Sequence, residues 1–147
     1  MPVRAAFFDT SAIVPLCVAQ SSSQRARQAY RGFSNQVVAW STVIEATGAI
    51  YKATRISGLK QTSARRALER LVQLEKRWAE IVAGDRVRDI ALDVLRNYDL
   101  RSGDAIQLAS ALVWCREKAR HRSFVCFDNK LGAAAHSIGF DVFDASG

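Results

Sequence analysis

Four acidic residues of this chain each stand beside an apolar segment. Asp9 follows "AAFF", Glu45 lies in "STVIEA", Asp104 opens "DAIQLASAL" and Asp128 follows "FVCF". If such carboxylates converge within about 4 to 6 Å, each close pair repels by roughly 4 kcal/mol at an effective dielectric near 20. A bound Mg²⁺ or Mn²⁺ ion offsets that repulsion at neutral pH, because hard divalent cations prefer oxygen ligands. Metal ions held in this way can cleave phosphodiester bonds, so the four acids predict that chemistry.

Each of these acids also has a purely structural explanation. Residues 42–45 have the sequence of a capping box and residues 104–107 resemble one. Asp9 and Asp128 are placed to accept hydrogen bonds from the first turn of a following helix. A helix cap is the simpler interpretation of any one residue, whereas the conjunction of four favours a shared site.

The elements that must position these acids alternate along the chain. Short β-rich runs predict five strands, at 3–8, 36–40, 80–83, 123–127 and 140–143. Helical patterns are predicted over 22–33, 42–55, 62–78, 86–97, 104–119 and 129–138. This alternation indicates an α/β fold, three-layered α/β/α, with a mainly parallel and roughly five-stranded central sheet. The carboxyl ends of parallel strands meet at one edge, where open α/β proteins bind ligands, so the acids are expected there.

Length and composition bound the class of protein. The chain has 147 residues, of which 49% are hydrophobic, and this predicts a single domain spanning 1–147. No apolar run approaches the roughly 18 residues of a membrane span, and the start of the chain lacks signal-peptide features. We therefore expect a soluble, cytoplasmic protein without a membrane partner. The three cysteines show no metal-binding spacing and are predicted to be reduced.

The charge of the chain is unevenly distributed. Twenty-one Lys and Arg residues against fourteen Asp and Glu residues leave a net charge of +7, and much of the excess lies between residues 52 and 77. Such asymmetry is typical of a polyanion-binding surface, because phosphate contacts exchange counterions for basic side chains. A solubilising surface or a partner-protein surface is the alternative. The candidate RNA-binding residues are Lys52, Arg55, Arg65 and Arg66.

The order of the motifs resembles a known family. "FFDTSAIVPL", "STVIEA", "LRSGDAIQLASAL" and "FVCFDNKLGAAAHSIGFDV" together resemble the PIN domain, and in detail the VapC-type toxin ribonucleases of toxin–antitoxin pairs. The resemblance covers nearly the whole chain. It implies a PIN-like fold and a metal-dependent endoribonuclease in which Asp9, Glu45, Asp104 and Asp128 bind one or two Mg²⁺ or Mn²⁺ ions. Hydrolysis by an activated water, oriented or deprotonated by Glu45, would give 5′-phosphate and 3′-hydroxyl ends.

Smaller features of the motifs refine this expectation. Ser11 matches a small polar residue that shapes the pocket in the family, and Thr10 stands beside it; helix capping is the alternative for both. Cys126 is a departure, because the family usually has Thr or Ser two residues before its fourth acid. A missing hydroxyl there would weaken a hydrogen bond around Asp128.

The resemblance also implies partners. A cognate antitoxin of the VapB type is expected to bind a groove formed by the helices between residues 42 and 78, and the same apolar surface would support a homodimer. The principal alternative function is a PIN-fold module that binds RNA or protein with little or no turnover. Cleavage of DNA by the same fold also stays open.

Other catalytic classes fit the sequence less well. A haloacid-dehalogenase-like phosphatase would carry a second Asp where this chain has Ser11, and Lys130 is badly placed for the essential lysine of a receiver domain. Metal-free cleavage through the ribose 2′-hydroxyl usually needs an acid and a base. His121 and His136, the two histidines of the chain, are both expected at the surface.

Overall fold

Five strands and seven helices make up the structure, a computed structural model that describes residues 4–143. The strands are β1 (Ala5–Phe8), β2 (Asn35–Ala39), β3 (Ala79–Ile81), β4 (Ser123–Val125) and β5 (Asp141–Phe143). The helices are α1 (Thr10–Cys17), α2 (Ser23–Gly32), α3 (Thr42–Ile56), α4 (Gln61–Glu75), α5 (Asp85–Asn97), α6 (Ser102–Trp114) and α7 (Asn129–Ile138).

The strands form one sheet in the order β3-β2-β1-β4-β5, and every neighbouring pair is parallel. β1 therefore lies at the centre, with Phe8 in register with Val125 of β4. The chain runs from β1 to β2 and β3 on one side, and then to β4 and β5 on the other. Ligands of open α/β sheets bind at such a reversal of strand order, which here lies at the carboxyl ends of β1 and β4.

Helices cover both faces of the sheet. Because side chains alternate along a strand, Phe8 packs with buried residues of α1, α3 and α4, whereas Phe7 packs with those of α5, α6 and α7. The Phe7 ring stacks on that of Phe124 in β4, with 5.6 Å between centroids. The prediction of a three-layer α/β fold with a five-stranded parallel sheet is confirmed, and the sheet is entirely rather than mainly parallel.

Three helices differ from the sequence prediction, and one of them is α4, which ends at Glu75 instead of continuing to residue 78. A helix was expected to follow Asp9, but the extent of α1 was not predicted, because Ala12 to Pro15 are all buried and the helix has no polar face to give it a period. α6 ends at Trp114 instead of continuing to residue 119, because Arg116 and Glu117 adopt positive φ angles of 54° and 60°. Such angles are rare for residues other than glycine and end a helix.

The cysteines and histidines lie as expected. Within residues 4–143, Cys17, Cys115 and Cys126 form no disulfide, and His121 and His136 are exposed. None of the helices in this range is long and apolar enough to cross a membrane.

Candidate active site

Asp9 lies directly after the central strand and is almost fully buried, with 3% of its surface exposed. Its backbone N–H donates to the carbonyl of Val125, which continues the pairing of β1 with β4. Its side-chain Oδ2 accepts a hydrogen bond from the backbone N–H of Ser11 at 3.0 Å, so Asp9 caps α1 as predicted. The cap accounts for one carboxylate oxygen and leaves the burial of the charge unexplained.

Burial raises the pKa of Asp9 from 3.8 to about 6. Hydrogen bonds from Ser11 act in the opposite direction, and the negative charges of Asp104 and Glu45 raise the pKa further. The carboxylates therefore influence one another, which is the relationship expected of acids that share one site.

Glu45 lies in the first turn of α3 and does not cap that helix. The helix begins one residue earlier than the capping-box prediction required, with Ser41 at the N-cap and without a side-chain cap hydrogen bond. The prediction of a capping box at 42–45 is therefore wrong. The Glu45 carboxylate instead accepts hydrogen bonds from the hydroxyls of Thr10, at 3.0 Å, and Ser41, at 3.4 Å. Thr10 thus positions an acid carried by another helix.

Gln107 is the functional residue that the sequence analysis missed. It is 1% exposed, and its Nε2 lies 3.2 and 3.1 Å from the two carboxylate oxygens of Glu45 and 3.1 Å from the hydroxyl oxygens of Thr10 and Thr42. Its Oε1 is buried without a hydrogen-bond partner among the described residues. The available signal is a single amide on a helix whose central part is mostly apolar, and the sequence pattern assigns that amide to a capping box.

Asp104 is not the N-cap of α6, although its carboxylate accepts a hydrogen bond from the backbone N–H of Arg101. α6 begins at Ser102 with Arg101 at the N-cap, so Asp104 lies inside the first turn and the predicted box at 104–107 is wrong. Burial raises the pKa of Asp104, as does the negative charge of Asp128, whereas Arg101, whose Nε is 4.0 Å from Asp104 Oδ2, acts in the opposite direction. The same turn approaches Glu45, because a Cβ on Gly103 would stand 3.8 Å from Glu45 Oε1.

Asp128 follows β4 and caps α7, as predicted, by accepting a hydrogen bond from the backbone N–H of Leu131 at 3.0 Å. It lines two clefts. The acidic cleft, of about 440 Å³, is also lined by Asp104, Arg101 and Lys130 among others. The α2–α7 cleft, of about 320 Å³, is also lined by Arg25 and Phe127 among others.

Ser11 and Cys126 connect Asp9 to the end of β4. The Ser11 hydroxyl oxygen accepts a hydrogen bond from the backbone N–H of Phe127 at 2.9 Å. The Cys126 sulfur lies 3.8 Å from Asp9 Oδ2 and accepts a hydrogen bond from the backbone N–H of Asp128 at 3.3 Å. Cys126 therefore occupies the space between the first and fourth acids, where a weakly polar thiol stands in place of a hydroxyl.

The donor set at this edge fits a hard divalent cation. Coulombic coupling links Asp9 with Glu45 and Asp104, and links Asp104 with Asp128. All four side chains offer oxygen ligands, which Mg²⁺ and Mn²⁺ prefer, and the buried Gln107 Oε1 adds an unpartnered acceptor nearby. As positioned, no three acidic, histidine or cysteine side chains within residues 4–143 are close enough together to enclose one ion. The four acids nevertheless concentrate negative charge at one edge of the sheet, and a bound cation would neutralise it.

The four candidate RNA-binding residues lie on the surface of α3 and α4. Lys52, Arg55, Arg65 and Arg66 are all exposed. Lys52 follows Glu45 by seven residues on α3, which places it on the same side of the helix about 10 Å further along the axis. Of the four basic residues, Lys52 is thus the one that lies on the same side of α3 as Glu45.

Comparison with known proteins gives one family and several related structures. The model of the PIN domain matches residues 6–137, whereas no curated protein sequence matches the chain. The structure is similar to that of VapC20 from Mycobacterium tuberculosis, described as a Sarcin-Ricin loop cleaving toxin: 13% identity, 88% of this chain and 94% of that one covered, TM-score 0.65. It is also similar to the structure of VapBC-1 from nontypeable Haemophilus influenzae. The two chains are 11% identical, the match covers 97% of this chain and 99% of that one, and the TM-score is 0.63. A toxin-antitoxin complex from Klebsiella pneumoniae matches at 19% identity, with 87% and 90% covered and a TM-score of 0.57.

Proposed function

Since the chain belongs to the PIN domain family, we propose that it is a metal-dependent endoribonuclease that acts as the toxin of a toxin–antitoxin pair. The observation that carries this proposal is the buried Asp9 carboxyl, whose pKa is raised by burial and by the nearby charges of Asp104 and Glu45. A protein that needed only a helix cap at this position would gain nothing from placing further carboxylates around it. The similar structures include a VapC toxin and toxin–antitoxin assemblies, which supports the proposal at the level of fold.

Asp9 and Asp104 are the proposed principal ligands of Mg²⁺ or Mn²⁺, with Glu45 and Asp128 completing the set. When bound, the ion would activate a water and stabilise negative charge on the scissile phosphate. Neighbouring side chains fix the position of Glu45. Gln107 and Thr10 hold the Glu45 carboxylate by hydrogen bonds, so that Glu45 can orient the attacking water and accept its proton.

The proposed partners are RNA, a VapB-type antitoxin and a second copy of the chain. α3 and α4 expose large apolar side chains, Ile44, Ile56 and Val72 among them, with 58%, 72% and 48% of their surfaces accessible. Apolar side chains exposed in this way suit a protein contact, and α3 also carries Glu45. An antitoxin bound along these helices would therefore stand close to the acids, and the same apolar surface could support a homodimer.

The test is cleavage of total cellular RNA by the purified protein, freed of any antitoxin. Reactions with Mg²⁺ or Mn²⁺ are compared with reactions in EDTA, and the wild type is compared with Asp9→Asn and Asp104→Asn. Asp141→Asn is the matched control, because Asp141 is exposed and begins β5 at the opposite edge of the sheet. We expect discrete fragments with 5′-phosphate ends that vanish in EDTA and in both site variants and persist in the control.

Two results would redirect the proposal. RNA binding by the wild type without cleavage would favour the alternative, a PIN-fold module that binds RNA or protein with little turnover. Cleavage of single-stranded DNA in place of RNA would keep the metal-dependent chemistry and replace the substrate.

A further inference from the structure

The α2–α7 cleft opens directly beside the acids and has no role in the catalytic arrangement described above. Asp128 lines both this cleft and the acidic cleft, and so does its neighbour Asn129. The two clefts therefore adjoin along the carboxyl edge of the sheet. A polymer lying over the acids in one cleft would continue into the other.

Arg25 of α2 supplies the positive charge of this cleft. Its guanidinium lies over the ring of Phe127, with its central carbon 5.1 Å from the ring centroid. An arginine held over an aromatic face keeps its N–H donors in the plane of the guanidinium, and these can still bind a phosphate through two oxygens at once. Phe127 thus fixes the position of the Arg25 guanidinium and leaves its N–H groups available to donate hydrogen bonds.

The other two cations at these clefts already face carboxylates. Arg101 Nε lies 4.0 Å from Asp104, and Lys130 Nζ lies 2.9 Å from Asp99. Arg25 takes part in no ion pair with any residue between 4 and 143. Of these three side chains, Arg25 is the one whose charge is left for an external anion.

The charge of α2 supports an anionic ligand. The helix carries three arginines, at 25, 27 and 31, and no acidic residue. Asp128 lines both the cleft that contains Arg25 and the cleft that contains Asp104, so this positive charge and the acid belong to adjoining clefts. An alternation of bound cations and basic side chains along a groove is suited to the evenly spaced phosphates of a nucleic-acid backbone.

We propose that the α2–α7 cleft is a binding subsite for single-stranded RNA next to the scissile bond, in which Arg25 binds a backbone phosphate and Phe127 holds the guanidinium in place. This inference rests on the proposed function, because the flanking nucleotides of a substrate define such a subsite. The RNA contact closest to the acids would then come from α2 instead of from the predicted residues of α3 and α4.

The binding test uses the Asp104→Asn variant, which the proposed function predicts to be inert, so that binding is measured without turnover. A short, fluorescently labelled oligouridylate RNA is titrated in Mg²⁺ at several salt concentrations, with Arg25→Ala, Arg25→Lys or Arg27→Ala added to that background. Arg27 is the matched control, because it is exposed on the same helix, carries the same charge and does not line the cleft.

We expect Arg25→Ala to weaken binding about tenfold, because one charge-assisted contact is lost. The slope of log affinity against log salt should fall by about 0.7, which is the value for one phosphate contact on a single strand. Arg25→Lys should keep the salt slope and recover only part of the affinity, since lysine keeps the charge and loses the bidentate geometry. Arg27→Ala should change affinity less than about twofold. In the active protein, Arg25→Ala should raise KM with little change in kcat.

Equal losses in Arg25→Ala and Arg27→Ala would overturn the subsite in favour of a diffuse basic surface, and unchanged binding in Arg25→Ala would overturn it outright. The melting temperature of each variant shows whether it is folded. Absence of cleavage by the wild type would count against the proposed function alone, because the binding experiment does not depend on turnover.

Discussion

Gln107 Nε2 lies 3.2 Å from Oε1 and 3.1 Å from Oε2 of Glu45, so one buried amide spans both oxygens of an acid on a different helix. The side chain is 1% exposed, and the hydroxyl oxygens of Thr10 and Thr42, each 3.1 Å from the same nitrogen, are further acceptors for its two N–H groups. Glu45 is therefore held in one orientation by α6, the helix that also carries Asp104. Two of the four acids are thus positioned by a single helix.

Gln107→Leu should lower kcat by about 10- to 100-fold, the usual effect of removing a residue that orients a metal-site ligand, and should leave RNA affinity nearly unchanged. Leucine fills a similar volume without a donor for Glu45. Initial rates across RNA concentrations separate kcat from KM. Ser110→Ala is the control, because Ser110 is buried on the same helix and donates only to the backbone of Ile106. Equal rates in Gln107→Leu and Ser110→Ala would contradict the positioning role.

The raised pKa of Asp9 predicts how stability depends on pH. Burial raises its pKa in the folded protein from 3.8 to about 6, so the folded state binds this proton more tightly than the unfolded chain. The free energy of unfolding of metal-free protein should therefore fall as pH rises from about 4 through about 6, by about 3 kcal/mol in total. Asp9→Asn keeps a helix cap and cannot ionise, so it should lack this fall.

Urea denaturation in EDTA at pH 4 to 8 measures this difference between Asp9→Asn and the wild type. The variant should gain stability relative to the wild type as pH rises, whereas Asp141→Asn should follow the wild type throughout. Parallel profiles for Asp9→Asn and the wild type would show that the carboxyl is ionised at little cost.

Binding of a divalent cation should restore the stability that the folded protein loses when Asp9 ionises. At a Mn²⁺ or Mg²⁺ concentration 100 times the dissociation constant, binding to the folded state alone adds about 2.7 kcal/mol, which raises the melting temperature by several degrees. We expect this rise in the wild type and Asp141→Asn, and its loss in Asp9→Asn and Asp104→Asn. Thermal denaturation with and without EDTA checks it. A rise of equal size in all four proteins would place the ion elsewhere.

Cys126→Ser should strengthen the site. The thiol lies 3.8 Å from Asp9 Oδ2, and a serine hydroxyl is a better donor to a carboxylate than a thiol. A hydrogen bond to the ionised form lowers the pKa of an acid, so the variant should keep its activity to a lower pH and bind Mn²⁺ several-fold more tightly. Cys126→Ala, which removes the donor, is the matched comparison. Identical pH profiles of activity for the two variants would contradict this role of the side chain.

Most of the fold was predictable from the sequence, because short apolar strands alternate with helices whose polar faces are distinct. The five strands and the approximate extents of six of the seven helices were predicted. A helix was also expected after Asp9, but its extent was not, because burial of Ala12 to Pro15 removes the amphipathic pattern on which such predictions depend. Positive φ angles in the turn after Trp114 likewise have no pattern in the sequence, and α6 was predicted too long.

The four acids were predictable because each stands beside a recognisable strand or helix start, but their interactions were not. Glu45 and Gln107 are 62 positions apart, and each was assigned to a local capping box. The contact between them depends on how α3 and α6 pack over the sheet edge. Local sequence patterns carry no information on that packing, so the hydrogen bonds around Glu45 became visible only in the structure.

The central position of β1 has a consequence for the synthesis of the protein. β1 pairs with β4, and Asp9 hydrogen-bonds to Val125, more than a hundred residues later in the chain. Pairings of such long range form late, because the loop between them must close first. A chain still being translated therefore lacks both β4 and Asp128 until residues 123–128 have left the ribosome. The candidate site at the carboxyl edge of the sheet would stay unassembled throughout that time, because Asp128 reaches that edge only when β4 pairs with β1.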